Sequence, residues 1–284
     1  ALVFSIMFLL VKLAAERGAS VPEILFWRQA LSAPIIGAWL LARGELRRLR
    51  TQRAGSHLTR AVVGMSNMAM LFTATTLLPL AETTTLGFTT PMFAVLIAAI
   101  VLGETVGPWR WGAVVLGFAG VLVIAQPGGH QLHPLGTTLA LVSSLVVAII
   151  NYLIRDLGRT EEAISTVFWF GVFGGLMSSL AIPFGFGGHD TAGWLVMIGL
   201  GVTGLAGQLC LTASLRFASV SSVIVMDYSA LIWAAMLGWL VWGDLPSLAT
   251  WLGAPLIIGA GLLIVWREHR LARAASPVSA LEAE

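Results

Sequence analysis

Asp227 and Tyr228 stand side by side in an otherwise apolar run, and of all the residues in this chain they are best suited to meet a small polar ligand. A carboxylate at the centre of a membrane helix costs about 2.5–3.5 kcal/mol on insertion scales, so it turns toward protein or water. There it can accept a substrate ammonium or a coupling proton, or it can hydrogen-bond a neighbouring helix. Lys12, Arg28 and Glu82 also sit in or beside apolar runs. They suit a carboxylate-holding or gating role, and interhelical pairing or snorkelling accounts for them equally well. Asn67, Asn151, Gln208 and Thr90 either line a wet cavity or join helices at about 0.6 kcal/mol each. Phe88, Tyr152 and Trp169, with Tyr228, offer faces on which an aromatic ligand could stack. Pro91 interrupts an apolar run, removing a backbone hydrogen bond and allowing a kink. No proline matches it in the second half, so the two halves are not expected to bend alike.

Other chemistries have no support. The chain contains no phosphate-binding GxxxxGK[ST] sequence, no HExxH and no cysteine cluster, and its one cysteine is Cys210. No nucleophile–base pair stands out. Neither a cofactor nor a metal is expected, and nothing suggests nucleic-acid binding or enzymatic activity.

The elements that must position these residues follow from composition. Hydrophobic residues make up 57% of the chain and charged residues 11%, whereas soluble domains carry about 25% charged residues. Mean hydropathy is +0.89. The chain therefore reads as an all-α integral membrane protein. Boundaries drawn at charges, Gly and Pro give ten transmembrane helices near residues 1–15, 22–42, 58–78, 81–103, 109–126, 135–154, 162–184, 192–215, 220–242 and 248–266. The first is short enough to suggest that its leading half is missing.

Basic residues favour the cytoplasmic side. Arg43, Arg47, Arg48, Arg50, Arg53 and Arg60 crowd one connection, and Arg110, Arg155, Arg159, Arg216, Arg267, Arg270 and Arg273 fall on the same side if both termini are cytoplasmic. Residues 80–120 are also echoed between 217 and 261. Leu102-Gly103-Glu104 answers Trp242-Gly243-Asp244, and Gly112 with Gly120 answers Gly253 with Gly261. Five helices in each copy make the repeats inverted, an arrangement that places a central cavity near the midplane between them. Glu104 and Asp244 are expected to cap helix turns on opposite faces. Gly171 with Gly175, and Gly201, Gly204 and Gly207, are expected at close helix contacts.

Leu78-Pro79-Leu80-Ala81-Glu82, Pro91, Leu102-Gly103-Glu104, Arg110-Trp111 and Gly117-Phe118-Ala119-Gly120-Val121 resemble the first half of EamA-domain proteins of the drug/metabolite transporter superfamily. Asp227-Tyr228-Ser229-Ala230-Leu231-Ile232-Trp233, Gly238-Trp239, Gly243-Asp244-Leu245-Pro246 and Trp266-Arg267-Glu268 are similar to the second half, with Asp244 where Glu is more usual. The resemblance implies a first repeat over 1–130, a second over 131–268 and a cytoplasmic tail over 269–284. It also implies a monomeric secondary transporter in the bacterial inner membrane that exports small metabolites by alternating access. Aromatic or other neutral amino acids, as in YddG-type exporters, are the leading substrates. Another metabolite or drug, a nucleotide sugar or phosphorylated metabolite, and a membrane enzyme acting on lipid-linked substrates are the alternatives.

Overall fold

The computed structural model describes residues 1–101, 103–126, 132–180, 182, 186–217 and 226–275. Leu102, the start of the ninth expected span and the end of the tail lie outside the described residues, as do the side chains of Arg216, Glu268 and Arg273. The helices are α1 (Leu2–Glu16), α2 (Val21–Ala30), α3 (Ser32–Ala42), α4 (Ala54–Leu77), α5 (Leu80–Gly87), α6 (Thr90–Ile100), α7 (Pro108–Ala125), α8 (Pro134–Leu157), α9 (Ala163–Ser179), α10 (Thr191–Phe217), α11 (Ala230–Trp242) and α12 (Leu248–Ala275). A single 3-10 turn, Leu46–Leu49, joins α3 to α4, and no strand occurs among the described residues.

Apolar runs become helices because a helix satisfies its own backbone where no water can. Among the described residues, six segments are long and apolar enough to cross a membrane: Val21–Ala42, Leu80–Ile100, Pro108–Ala125, Pro134–Leu157, Thr191–Ser214 and Leu248–Arg267. The first two are each built from a pair of helices. α4 is 24 residues long but carries His57, Arg60 and Asn67. Side chains such as Val115, Leu122, Leu195, Ile232 and Leu252 are exposed around the outside, the surface a lipid-facing protein presents.

The ends of these helices are written locally. Ser20 accepts the Glu23 N–H at 3.4 Å and Pro22 follows in the first turn of α2, a standard start. Gly103 and Gly243 both take left-handed backbone, at φ 64° and 71°. Glycine alone does this without strain, so the two echoed Gly-acid pairs mark equivalent helix ends.

Among the described residues two large apolar cores form, beside a smaller one of Ile36, Leu40, Val167 and Leu205. One gathers Leu86, Met92, Ala113, Val121, Ile124, Ala140 and Ile257 from α5–α8 and α12. The other gathers Met7, Val11, Ile24, Phe72, Phe170, Met197 and Leu200 from α1, α2, α4, α9 and α10. The neighbour pattern repeats between halves: α1 lies on α10 as α4 lies on α8, and α2 meets α10 as α4 meets α9. α7 packs along α12 at the echoed glycines. A Cβ on Gly120 would stand 2.8 Å from the Gly253 carbonyl oxygen, and one on Gly253 would stand 2.7 Å from the Gly120 oxygen. The α9 pair differs from expectation. Gly171 and Gly174 meet α3 and Gln29, while Gly175 has open space, because the face toward α2 and α3 follows a three-residue step here.

Gly253→Leu should therefore lower stability by roughly 1–3 kcal/mol through overpacking. Gly112→Leu, whose Cβ meets nothing within 4 Å, should leave it unchanged. Thermal unfolding of both variants in detergent provides the check.

Candidate functional site

The fourth and ninth segments are interrupted at the same place. Helix runs through Gly87, turns at Phe88–Thr89 and resumes at Thr90; residues 226–227 are helical, Tyr228–Ser229 turn, and α11 begins at Ala230. Phe88 precedes Gly103 by the interval at which Tyr228 precedes Gly243. The hydrogen bonds match as well. Thr89 N–H donates to Leu86 O at 3.1 Å and Ser229 N–H to Met226 O at 3.2 Å. The Thr89 hydroxyl donates to Leu86 O at 2.7 Å, and the Ser229 hydroxyl to Met226 O at 2.6 Å.

This corrects the expectation that the halves bend differently. At both interruptions a hydroxyl bonds back to the carbonyl three residues earlier. Pro91 sits in the first turn of α6, and the Gly87 carbonyl that its missing N–H would have served accepts the Thr90 hydroxyl at 2.8 Å. Tyr228 consequently has an aromatic counterpart in Phe88. Their rings meet edge to face, 4.9 Å apart at 82°, a favoured aromatic geometry.

That contact faces a cavity of about 740 Å³. Phe88, Thr90, Pro91, Asn151, Tyr152, Asp227 and Tyr228 all line it, so seven residues singled out in the sequence converge. The sequence did not single out Phe4, Phe8 or Ser144 as contributors to the wall. Asp227 and Tyr152 are exposed to the cavity side of the chain, and the Tyr228 hydroxyl is buried without a hydrogen-bond partner among the described residues. It lies against Gly261, where a Cβ would come within 1.8 Å of the phenol oxygen. The echoed glycine is thus the space that the tyrosine occupies.

The lining extends to Arg155, Arg159 and Glu161 at the α8–α9 turn. Around this arginine-rich end, Arg48 bonds Glu162 at 2.6 Å and Glu45 at 2.7 Å, and Arg53 pairs with Asp156. Hydrogen bonds to the Glu162 and Glu45 carboxylates raise the Arg48 pKa above its ordinary value.

Several ion pairs and hydrogen bonds link the helices at the opposite end. Lys12 Nζ lies 4.0 Å from Asp244 and 4.7 Å from the Trp242 ring centroid, and Trp242 Nε1 donates to Glu16 at 2.6 Å. His189 bonds Glu23 at 2.6 Å and Arg17 meets Asp190 at 3.4 Å. Glu82 is buried, and its Oε1 accepts the Thr250 hydroxyl at 2.9 Å and the Ser247 N–H at 3.2 Å. It thereby places a carboxylate at the N-terminus of α12, where the helix dipole favours one. Asp244 pairs with Lys12 in this arrangement.

Asn67, Arg28 and Gln208 line a second, smaller cavity of about 140 Å³. Arg60, which the sequence reading grouped with the surface arginines, is buried beside them and donates to Gln208 Oε1 at 3.3 Å. The signal that finds it is spacing: Arg60, Gly64, Asn67, Met68 and Leu71 form one face of α4, and all five line this space. Asn67 Oδ1 accepts the Ser143 hydroxyl at 2.9 Å. Trp169 is not brought to either cavity. Its indole N–H donates to Leu49 O at 3.0 Å and its ring stacks on Phe173 at 5.6 Å, because on α9 it faces the 3-10 turn. Among the described residues, no group of three or more metal-ligating side chains occurs.

Known proteins give a consistent picture. The model of the EamA-like transporter family matches residues 1–126 and 134–266. The pseudopaline exporter CntI of Pseudomonas aeruginosa is 29% identical over 265 residues, 90% of each chain. A riboflavin transporter of Rhizobium johnstonii is 29% identical over 249 residues, 87% of this chain and 82% of that one. An S-adenosylmethionine uptake transporter of Rickettsia felis is 26% identical over 253 residues, 87% and 84%. A solved crystal structure superposes with TM-score 0.64 at 23% identity, covering 95% of this chain and 97% of the other.

Gly261→Ala should destabilise the chain by pushing Tyr228 off α12, and Tyr228→Phe should remove part of that cost. A double-mutant cycle on unfolding should return a coupling of about 0.5–3 kcal/mol; additive single effects would contradict the close approach.

Proposed function

Since the chain belongs to the EamA-like transporter family, we propose that it is a secondary transporter whose substrate occupies the 740 Å³ cavity beside Phe88 and Tyr228. The single observation that carries this reading is the paired interruption of the fourth and ninth segments beside that cavity. Two elements with matching breaks can move as matching gates. The repeated neighbour pattern supports ten spans in two inverted five-helix halves, residues 1–130 and 131–268. Family and relatives point to transport of small metabolites across a bacterial inner membrane rather than to an enzyme.

With both termini cytoplasmic, the arginine-rich end is inside. The cavity then reaches the cytoplasm while ion pairs seal the outer end, the loading state of an exporter. Lys12 and Glu82 act as parts of the outer gate, which must release its bonds to α11 and α12 for the cavity to open outward. One chain encloses the cavity, so a monomer suffices.

Asp227 is placed to meet an ammonium and the Phe88–Tyr228 pair to meet a flat ring, which together suit an aromatic amino acid. The volume favours a second reading as well. At 740 Å³, within the roughly 300–1,000 Å³ of small-molecule sites, the cavity also admits a larger flat metabolite such as riboflavin.

Purified protein in liposomes should move labelled tryptophan, phenylalanine or riboflavin down a gradient. Tyr228→Ala and Asp227→Asn should each slow transport about tenfold, equivalent to about 1.4 kcal/mol. Trp169→Ala should preserve the rate of whatever folded protein remains. If none of the three compounds moves through correctly folded protein, these substrate assignments fail.

A further inference from the structure

Arg28 and Arg60 are both almost fully buried, at 1% and 2% exposure, and both line the 140 Å³ cavity. A guanidinium carries five N–H donors and a permanent charge, and a buried charge normally has an ionic partner. Among the described residues neither arginine forms an ion pair, and every acid found in such a pair is held by another base. Arg28 is served by Gln29 Oε1 at 2.8 Å and by the weakly accepting sulfurs of Met7 and Met68 at 3.2 and 3.0 Å. Arg60 has only Gln208, and its Nε and Nη1 are buried without partners.

Phe170, 4.2 Å from the Arg60 guanidinium carbon, and Phe72, 5.9 Å from that of Arg28, cover ring-facing sides of these cations. They leave the hydrogen-bonding edges of Arg60 unsatisfied. The fold makes room for this arrangement: at Gly204 of α10, a Cβ would stand 2.8 Å from Arg28 Cγ. The small cavity is continuous in lining with the large one, since Phe8, Leu71, Val147, Asn151 and Leu211 border both.

We propose that Arg28 and Arg60 form a carboxylate subsite, with Gln208 and Asn67 beside it, that receives the anionic end of a substrate whose ring lies in the larger cavity. The space is large enough for a carboxylate and too small for a whole aromatic metabolite. A carboxylate matches the missing complement, because its oxygens accept charge-assisted hydrogen bonds from the guanidinium edge, where Nε and Nη1 of Arg60 have no partner. The identity of this ligand as transported cargo rests on the transporter reading above; the anion site itself does not.

Benzoate and benzamide separate charge from shape. Benzoate should raise the thermal midpoint of the purified protein in a saturable way, and benzamide should not. Gln208→Glu, which supplies an internal carboxylate next to Arg60, should raise the midpoint without ligand and abolish the response to benzoate. Arg60→Lys keeps the charge but loses the fork, so the benzoate response should persist with at least about tenfold weaker affinity. Equal responses to benzoate and benzamide, or an unchanged benzoate response in Gln208→Glu, overturn the proposal. So does chloride alone reproducing and competing with the benzoate effect, since the pair would then hold an inorganic anion. Transport in liposomes distinguishes the two readings. If tryptophan and tryptamine move equally well and Gln208→Glu has no effect, the subsite fails and the transporter stands. Gln208-sensitive benzoate binding with no transport of any tested compound leaves the subsite standing and the transporter reading fallen.

Discussion

Inside a bilayer a backbone group that leaves the helical ladder has no water to turn to, and its replacement partner must come from the protein. This constraint explains where the chain departs from regular helix. At Phe88–Thr89 and Tyr228–Ser229 the turn keeps the Leu86 and Met226 carbonyls bonded, each accepting both the N–H and the hydroxyl of the residue three positions on. The polar side chain, the turn and the aromatic residue travel together in both halves. The break places Phe88 and Tyr228 against each other at the cavity wall, and Gly261 leaves the volume that the tyrosine needs.

Charges obey the same rule, with an instructive division. At the two ends of the bundle, acids and bases are paired: Arg48 with Glu162 and Glu45, Arg53 with Asp156, Lys12 with Asp244, Arg17 with Asp190. Exposed pairs of this kind add about 0–1 kcal/mol each. Several of them can close one end of a cavity and still release it. In the interior the balance is reversed: among the described residues, Arg28 and Arg60 have amides, sulfurs and aromatic rings around them but no carboxylate paired with them. Glu82 is a third case, an acid whose compensation is the start of α12.

Mutual close approach of α7 and α12 at Gly120 and Gly253 holds these two helices together. Small residues allow this contact, and dispersion rather than the hydrophobic effect rewards it in lipid.

Composition and periodicity alone determined the helical membrane class, because apolar runs of this length have few other stable outcomes. The Gly-acid echo announced equivalent helix ends, and both glycines take the left-handed backbone that only glycine adopts freely. Asp227, Tyr228, Phe88, Tyr152 and Asn151 were legible as cavity residues, since polar and aromatic groups in apolar runs must turn toward protein or water. Tertiary structure decided the rest. It removed Trp169 from the cavity, because adjacent residues on α9 face different neighbours: Phe170 lines the smaller cavity, while Trp169 faces the 3-10 turn. It showed that Thr89 and Ser229 bond back across both interruptions while Pro91 occupies a first turn. It also brought Arg60 inward from a run of arginines that sequence order placed at the surface. A residue's type limits which environments it tolerates; only packing against helices distant in sequence determines which of those environments it receives.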